Sequence, residues 1–246
     1  MSETNTLQNI RIVLVGTLYS GNVGSVCRAM ANMGICDLVL AEPKICDGWD
    51  EAPRMAVHAD DILNARREVA SLAEAVADCS WVVGTTARGG LYRQHVKTPR
   101  ELAPELLRLA QSGRVALVFG REDKGLSNDE IGICTHLIRI PVHPDYVSLN
   151  LAQAVLLCCY ELYTALGTYE PPVEKCPPAQ AAQKIKLLEK WREMLLEIGF
   201  MKEDKADHIM QGVQRIFSRG TFSEDDVAIM MGVARQADWA AKNCKK

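Results

Sequence analysis

The chain has 246 residues, nine cysteines and a formal net charge of −3. That length suits one α/β domain with a small appendage, and no apolar run approaches the ~20 residues that a membrane span needs. Acids outnumber bases over residues 1–174 while bases outnumber acids over residues 175–246, which agrees with a polyanion partner and equally with a solvated helical tail.

Glu3, with no basic-then-apolar pattern around it, argues against a secretory signal. Ile10–Val15 is the first short apolar run. A helix follows, since Val23, Val26, Cys27, Met30 and Met33 keep the i, i+3, i+4, i+7 spacing of a one-faced helix. Asp37–Ala41, Trp81–Thr85, Val115–Gly120 and Leu137–Val142 are the later strand-like runs. Three helices open with capping boxes, Ser71 with Glu74, Thr98 with Glu101 and Ser127 with Glu130. Pro99 takes the first helical position of the second, where its missing N–H is no loss. Leu149 to Leu166 reads as a buried helix. Strands that are apolar throughout and alternate with helices imply a parallel sheet covered on both faces, so the fold class is α/β.

A domain over residues 1–166 then gives way to a proline-rich linker, residues 167–179, and an all-helical extension, residues 180–246. In the extension Ile185, Leu188, Trp191, Leu195 and Ile198 form one stripe, and Ile209, Val213 and Ile216 begin another. Ser223 with Asp226 opens a third helix that runs through Trp239. The cysteines show no Cys-x-x-Cys pair and no metal-finger spacing. Cys27, Cys79, Cys134, Cys158 and Cys159 fall inside predicted elements as apolar fillers, which points to a reducing cytoplasm and to no metal site.

Three segments carry chemistry. In the first, Gly16, Gly21 and Gly24 follow a strand and open a helix, so backbone N–H groups face a ligand that approaches closely. A Walker loop is excluded, because Asn22-Val23 stands where Lys-Ser/Thr should follow the glycine. A dinucleotide loop stays open: Glu42 sits about 20 residues on, where a ribose-binding acid belongs, although the glycine spacing is wrong for that motif. Arg28 lies off the helix's apolar stripe, as either a solvated arginine or a functional one. In the second segment, Gly120-Arg121-Glu122-Asp-Lys124-Gly125 ends a strand, and Gly120 suggests close backbone approach to a flat ligand. In the third, Ile140 to Leu151 delivers Ser148 and Asn150 to a helix start. Asn150 with Gln153 reads as a capping box, or as part of a ligand site. The tips at Gly16, Thr85-Thr86, Gly120 and Ile140 all lie at carboxyl ends of parallel strands, the edge where open α/β sheets bind ligands. Between Cys79 and Arg100 the cations Arg88, Arg93, Lys97 and Arg100, with Tyr92 and His95, occur without an acid. That composition fits a solvated loop, or an RNA-contacting one in which cations hold phosphate and Tyr92 stacks on a base.

Gly21-Asn22-x-Gly24-Ser25-x-x-Arg28, then Gly120-Arg-Glu122-x-x-Gly125-Leu126, then Ile140-Pro, six residues and Ser148-Leu149-Asn150-Leu151, together resemble the three signature motifs of the SPOUT superfamily of RNA 2′-O-ribose methyltransferases, over residues 8–166. The 84–88 strand tip, Thr98-Pro-Arg-Glu101 and the helical tail are most similar to the TrmJ-type branch, although Gly16 and Tyr19 replace a glutamate and a histidine of close members. The resemblance implies a trefoil knot near the C-terminal part of the sheet, which periodicity would not reveal. It also implies S-adenosylmethionine as methyl donor and a homodimer with a composite site. The target it implies is tRNA, at the first nucleotide of the anticodon loop, with no membrane or DNA partner.

Carried across residue by residue, Thr85, Thr86, Ala87, Gly120, Ile140, Val147, Ser148 and Leu149 would cradle the cofactor. Asn22, Arg28, Glu122, Ser148 and Asn150 would form the catalytic set, and Arg88, Tyr92, Arg93 and Lys97 would contact RNA. A guanidinium with a pKa above ~12 is a poor base, so Arg28 is expected to stabilise the developing oxyanion, with Glu122 orienting it. Competing readings are the same chemistry on ribosomal RNA, a NAD-dependent oxidoreductase using Gly16–Gly24 and Glu42, and an RNA-binding chaperone without catalysis.

Overall fold

The computed structural model describes residues 6–88, 96–172 and 176–243, and the chain divides into two compact units between Glu170 and Pro171. Tyr92, Arg93 and His95 lie outside the described residues. The first unit holds six strands: β1 (Ile10–Val15), β2 (Asp37–Ala41), β3 (Arg67–Val69), β4 (Cys79–Thr85), β5 (Arg114–Phe119) and β6 (His136–Ile138). They form one parallel sheet in the order β3-β2-β1-β5-β4-β6.

Successive strand side chains point to opposite faces, and two cores result. Ile10, Ile12 and Leu14 face the side covered by α1 (Ser20–Asn32), α2 (Glu51–Ala56), α3 (Asp60–Ala65), α5 (Pro99–Ala110) and α7 (Leu151–Ala165). Val13 and Val15 face α4 (Leu72–Ala75) and α6 (Asn128–Ile133). Both faces are covered, as a parallel sheet requires.

β1 and β2 have the bounds that the pattern predicts. β6 stops at Ile138, four residues short of the expected end. Arg139 N instead donates to the Lys97 carbonyl at 2.9 Å, and Pro141 has no N–H with which to continue a ladder. α2, α3 and β3 were not predicted, because six residues or fewer leave no periodicity to read. The boxes at Thr98 and Ser127 form in full. At Ser71 only half forms: the Ser71 hydroxyl accepts from Glu74 N, but the Glu74 carboxylate accepts from Ala70 N at 3.0 Å.

Arg11 breaks the apolar rule inside β1, being 1% exposed. Its Nε donates to Asp37 Oδ2 at 2.8 Å and its Nη1 to the Ala75 carbonyl at 2.7 Å, and the guanidinium also grips Asp78, which Arg114 shares. Burial would lower the Arg11 pKa, but the hydrogen bonds to Asp78 and Asp37 outweigh it and raise it. The bond from Arg11, opposed by burial and helped by Arg114, holds the Asp78 carboxyl well below the usual carboxylate range. A carboxyl depressed in the folded state stabilises the fold above its unfolded pKa of ~3.9, and that stabilisation is lost as pH falls through the folded value. Urea titrations should therefore find wild-type stability falling below about pH 4. Asp78→Asn should be less stable than wild type at pH 7, with a shallower acid fall. Equal midpoints at pH 7 would remove the network from the stability account.

The second unit is helical, with α8 (Ala181–Glu197), α9 (Glu203–Phe217) and α10 (Glu224–Asn243). Its core turns on Trp191, whose Nε1 donates to the Met230 carbonyl at 3.1 Å and whose ring meets Phe217 edge-on. The buried stripe of α8 is Leu187, Trp191, Met194 and Leu195. It is rotated from the expected one, since Ile185 and Ile198 are exposed, as is Ile216 of α9. The apolar residues of α8, Ile185, Leu187, Leu188, Trp191, Met194, Leu195 and Leu196, allow two overlapping stripes, and packing against α10 selects between them. Pro178 and Ala179, in the expected linker, pair with the segment that opens α10. Ser223 and Asp226 cap that helix reciprocally.

Candidate active site

Three segments converge at the carboxyl edge of the sheet. The tip of β4 is anchored by Thr85 Oγ1, which donates to the Val118 carbonyl at 3.1 Å, and by Thr86 N, which donates to the Ile138 carbonyl at 3.0 Å. The loop after β5 doubles back on itself, with Gly125 N donating to the Arg121 carbonyl at 2.8 Å. A Cβ on Gly120 would lie 2.2 Å from the backbone of Gly125 and Leu126. The loop's own return, not a ligand, thus requires that glycine. Gly24 is corrected in the same way, because its missing Cβ makes room for the Ala52 carbonyl of α2. Residues 139–150, after β6, form the third wall.

Between these walls is a cavity of about 370 Å³. All eight residues expected to cradle a cofactor line it: Thr85, Thr86, Ala87, Gly120, Ile140, Val147, Ser148 and Leu149. Leu126 and Leu151, which stand in the motifs without an assigned role, and Ala154 add apolar surface, since a core leucine and a pocket leucine look alike in a sequence. A wider recess of about 870 Å³ carries Tyr19, Asn22, Ser25, Asp47, Glu51 and Asn150. Glu122, Ser148, Leu149 and Leu151 line both, so they form the seam.

At the seam the polar side chains are chained together. Glu122 Oε1 accepts from Asn22 Nδ2 at 2.9 Å, and its other oxygen accepts from Leu18 N at 3.1 Å. Asn22 Oδ1 accepts in turn from Asn150 Nδ2 at 3.1 Å. Asn150 also caps α7, accepting from Ala152 N at 2.9 Å. The cap and the site are thus one residue's two ends, and the capping box expected with Gln153 gives way to a single cap bond from Ala152 N. Asp47, another residue missed in sequence, accepts from Ser20 N and holds the start of α1 at 3.0 Å. Its signal was the Asp47-Gly48 turn that follows β2.

Arg28 does not join this group within the protomer. It is exposed, lines neither cavity, and has no hydrogen bond or ion pair among the described residues. Six residues beyond Asn22 on α1, it is about 9 Å further along the axis and turned from it by about a third of a circle. Glu122, expected to orient Arg28, instead orients Asn22.

The basic stretch is also engaged. Lys97 pairs with Glu105 at 3.3 Å and Arg100 with Glu161 at 3.0 Å. Such exposed pairs contribute ~0–1 kcal/mol and yield readily to a phosphate. Arg88 turns back onto the carbonyls of Lys124 and Leu126 at 2.6 and 3.1 Å.

Two findings remove the dinucleotide reading. A dinucleotide sheet of this type has the order 3-2-1-4-5-6, whereas here β5 stands next to β1. Glu42 lines neither cavity. Among the described residues no cluster of metal-ligating side chains occurs, and no helix is long and apolar enough to cross a membrane.

Comparison with known proteins adds a second line of observation. Residues 9–160 match the SpoU rRNA Methylase family, and residues 183–246 match the C-terminal domain of the tRNA methyltransferase TrmJ. The chain is 38% identical to the tRNA (cytidine/uridine/adenosine-2'-O-)-methyltransferase TrmJ of Pseudomonas aeruginosa, with 96% of each protein covered. It is also 38% identical to the tRNA (cytidine/uridine-2'-O-)-methyltransferase TrmJ of Salmonella typhimurium, over 92% of this chain and 95% of that protein. The crystal structure of TrmJ from Z. mobilis superposes with a TM-score of 0.77 at 32% identity, covering 93% of this chain and 98% of that one. A probable methylase family protein from Haemophilus influenzae gives 0.62 at 35% identity, covering 97% and 100%.

Proposed function

This chain belongs to the SpoU rRNA methylase family, and on that premise we propose that it methylates a ribose 2′-oxygen of tRNA with S-adenosylmethionine as donor. The observation that carries the reading is the seam. Eight cradle residues share one cavity, and Asn22, Glu122 and Asn150 form a hydrogen-bonded chain at its rim. Relatives named for tRNA cytidine and uridine support tRNA over ribosomal RNA, as does the match of the helical unit to the TrmJ C-terminal domain. The target within tRNA is the first nucleotide of the anticodon loop, and the enzyme works in the cytoplasm.

The cavity fits the donor. Its volume falls within the ~300–1,000 Å³ of small-molecule sites. Its apolar side chains, Leu126, Ile140, Leu149 and Leu151, suit a flat ring, while the backbone of the three walls offers polar groups. Thr85, Thr86, Ala87, Gly120, Ile140, Val147, Ser148 and Leu149 would hold it there, largely through main-chain groups. When bound, S-adenosylmethionine supplies an electrophilic methyl on a sulfonium.

The chain's own residues align the sugar and manage its charge. Ser148, on the seam, and Asn150 fix the ribose against the cavity mouth. Glu122 holds Asn22 in one orientation, so the amide presents a fixed dipole to the reacting hydroxyl. Positioning supplies much of the rate, since well-oriented reactants gain effective molarities of ~10⁵ M or more. Arg28 stabilises the oxygen as its proton leaves, and it comes from the partner of a homodimer, because it faces away from Asn22 on its own helix. The apolar face of Leu156, Leu157 and Tyr160 on α7, exposed in one protomer, supports such an association. Lys97, with Arg93 and Tyr92 outside the described residues, contacts RNA. The polypeptide threads as a trefoil knot around the 120–126 and 139–150 segments.

Transfer of labelled methyl from S-adenosylmethionine to an unmodified tRNA transcript should leave one alkali-resistant linkage, mapped to the anticodon loop. Label recovered on a base would refute ribose chemistry. Label taken up by ribosomal RNA and not by tRNA would move the substrate.

A further inference from the structure

From the hydrogen bonds of Arg88 we infer that this residue is a positioning residue of the cofactor cavity, a clamp between two of its walls, and not a contact to RNA phosphate. The inference rests on the proposed S-adenosylmethionine site. Its basis is a single guanidinium nitrogen, Nη2, that donates to two carbonyls of the loop after β5, Lys124 at 2.6 Å and Leu126 at 3.1 Å.

Those two carbonyls flank Gly125, whose φ of +63° turns the chain sharply. Among the described residues one backbone bond closes the loop on itself, from Gly125 N to the Arg121 carbonyl. Glu122 ties the loop's first half to Leu18 N and Asn22, and Arg121 pairs with Glu130, while Arg88 ties its second half, Lys124 and Leu126, to the β4 tip. That tip is itself secured: Thr86 N donates to the Ile138 carbonyl, and the Thr86 hydroxyl exchanges bonds with the Arg88 backbone at 3.1 and 3.2 Å. Arg88 therefore joins a fixed wall to a tightly turned one, and Thr86, Ala87, Lys124, Gly125 and Leu126 from both walls line the cavity.

The chemistry selects arginine. A planar guanidinium keeps its charge and can hold two acceptors in a fixed geometry, whereas an ammonium is a point charge on a flexible stem. The two hydrogens of the planar Nη2 diverge in one fixed plane toward the two carbonyls, whereas a lysine ammonium ends one atom nearer the backbone and has no fixed plane. A phosphate contact would be served by either.

The test uses the full-length protein and three readouts: calorimetric affinity for S-adenosylmethionine, KM and kcat for methyl transfer, and the salt dependence of tRNA binding. Arg88→Lys keeps a charge for phosphate but loses the double contact. The expected result is affinity for S-adenosylmethionine weakened about 10- to 100-fold, the effect of losing hydrogen bonds to a charged group. KM for the donor should rise in step, kcat at saturating donor should change little, and the salt slope of tRNA binding should stay at the wild-type value. Arg88→Ala should show the same pattern, with an unchanged melting temperature in the absence of donor. The inference is overturned if Arg88→Lys binds the donor within about twofold of wild type while Arg88→Ala lowers the salt slope by ~0.7–0.9, the signature of one lost phosphate contact. Wild-type protein that fails to bind S-adenosylmethionine would overturn the proposed function instead, so the two failures are separable.

Discussion

Mixing an Asn22→Ala protein with an Arg28→Ala protein, followed by dissociation and reassociation, should restore methyl transfer to about one quarter of the wild-type level. Alone, each variant should lose about 10²–10³ in kcat, the scale of removing one aligned polar group from a reacting centre. The recovery follows from geometry. Asn22 is bonded to Glu122 and Asn150 of its own protomer, while Arg28, on the same helix, is exposed and lines neither cavity. If the site takes Asn22 from one copy and Arg28 from the other, a mixed dimer contains one site with both lesions and one with none. Random reassociation makes about half of the dimers mixed, and half of their sites intact. Were both residues to serve the same protomer, every site in every mixed dimer would carry a lesion and no activity would return. That outcome would exclude the composite site and assign Arg28 to the site of its own protomer.

The reach of sequence reasoning can be traced residue by residue. Strands β1 and β2 were legible because each is apolar and ends at a glycine or a charge, and the face of α1 because Val23, Val26, Cys27 and Met30 repeat at helical spacing and are buried. The cradle residues were legible only through motif resemblance, since nothing in periodicity brings residue 85 to residue 148. Sheet order was not legible at all: β5 lies between β1 and β4 because of crossovers that leave no local pattern. Arg11 was hidden for the opposite reason. A single arginine inside an apolar run reads as an exposed exception, and its partners Asp37 and Asp78 lie in other elements. The glycines taught most. Gly120 and Gly24 were expected to make way for a ligand, and both make way for the protein's own backbone. A sequence reports that space is needed at such a position, but not who fills it.

Gly24→Ala should therefore be a folding lesion before it is a catalytic one. The added methyl would lie 2.1 Å from the Ala52 carbonyl oxygen and within 3.0 Å of two further backbone atoms of that residue. No rotamer change relieves a clash with backbone, so α1 and α2 must move apart. Overpacking a core costs about 1–3 kcal/mol and sometimes more, and a position with no compliant neighbour belongs at the upper end. For a chain of this size about 3 kcal/mol lowers the melting temperature by roughly 6–12 °C. Glu51 and Met55 on α2 line the recess that Asn22 enters, so the surviving folded fraction should bind RNA less well, while affinity for S-adenosylmethionine, set by the other walls, should hold. Gly132→Ala is the matched control, because a Cβ there meets nothing within 4 Å, and replacing glycine in a helix stabilises by about 0.5–1 kcal/mol. Thermal melts of the two variants beside wild type decide the matter. If Gly24→Ala melts like wild type yet loses donor binding, the glycine serves the ligand after all, and the close packing of α1 on α2 is not what that position is for.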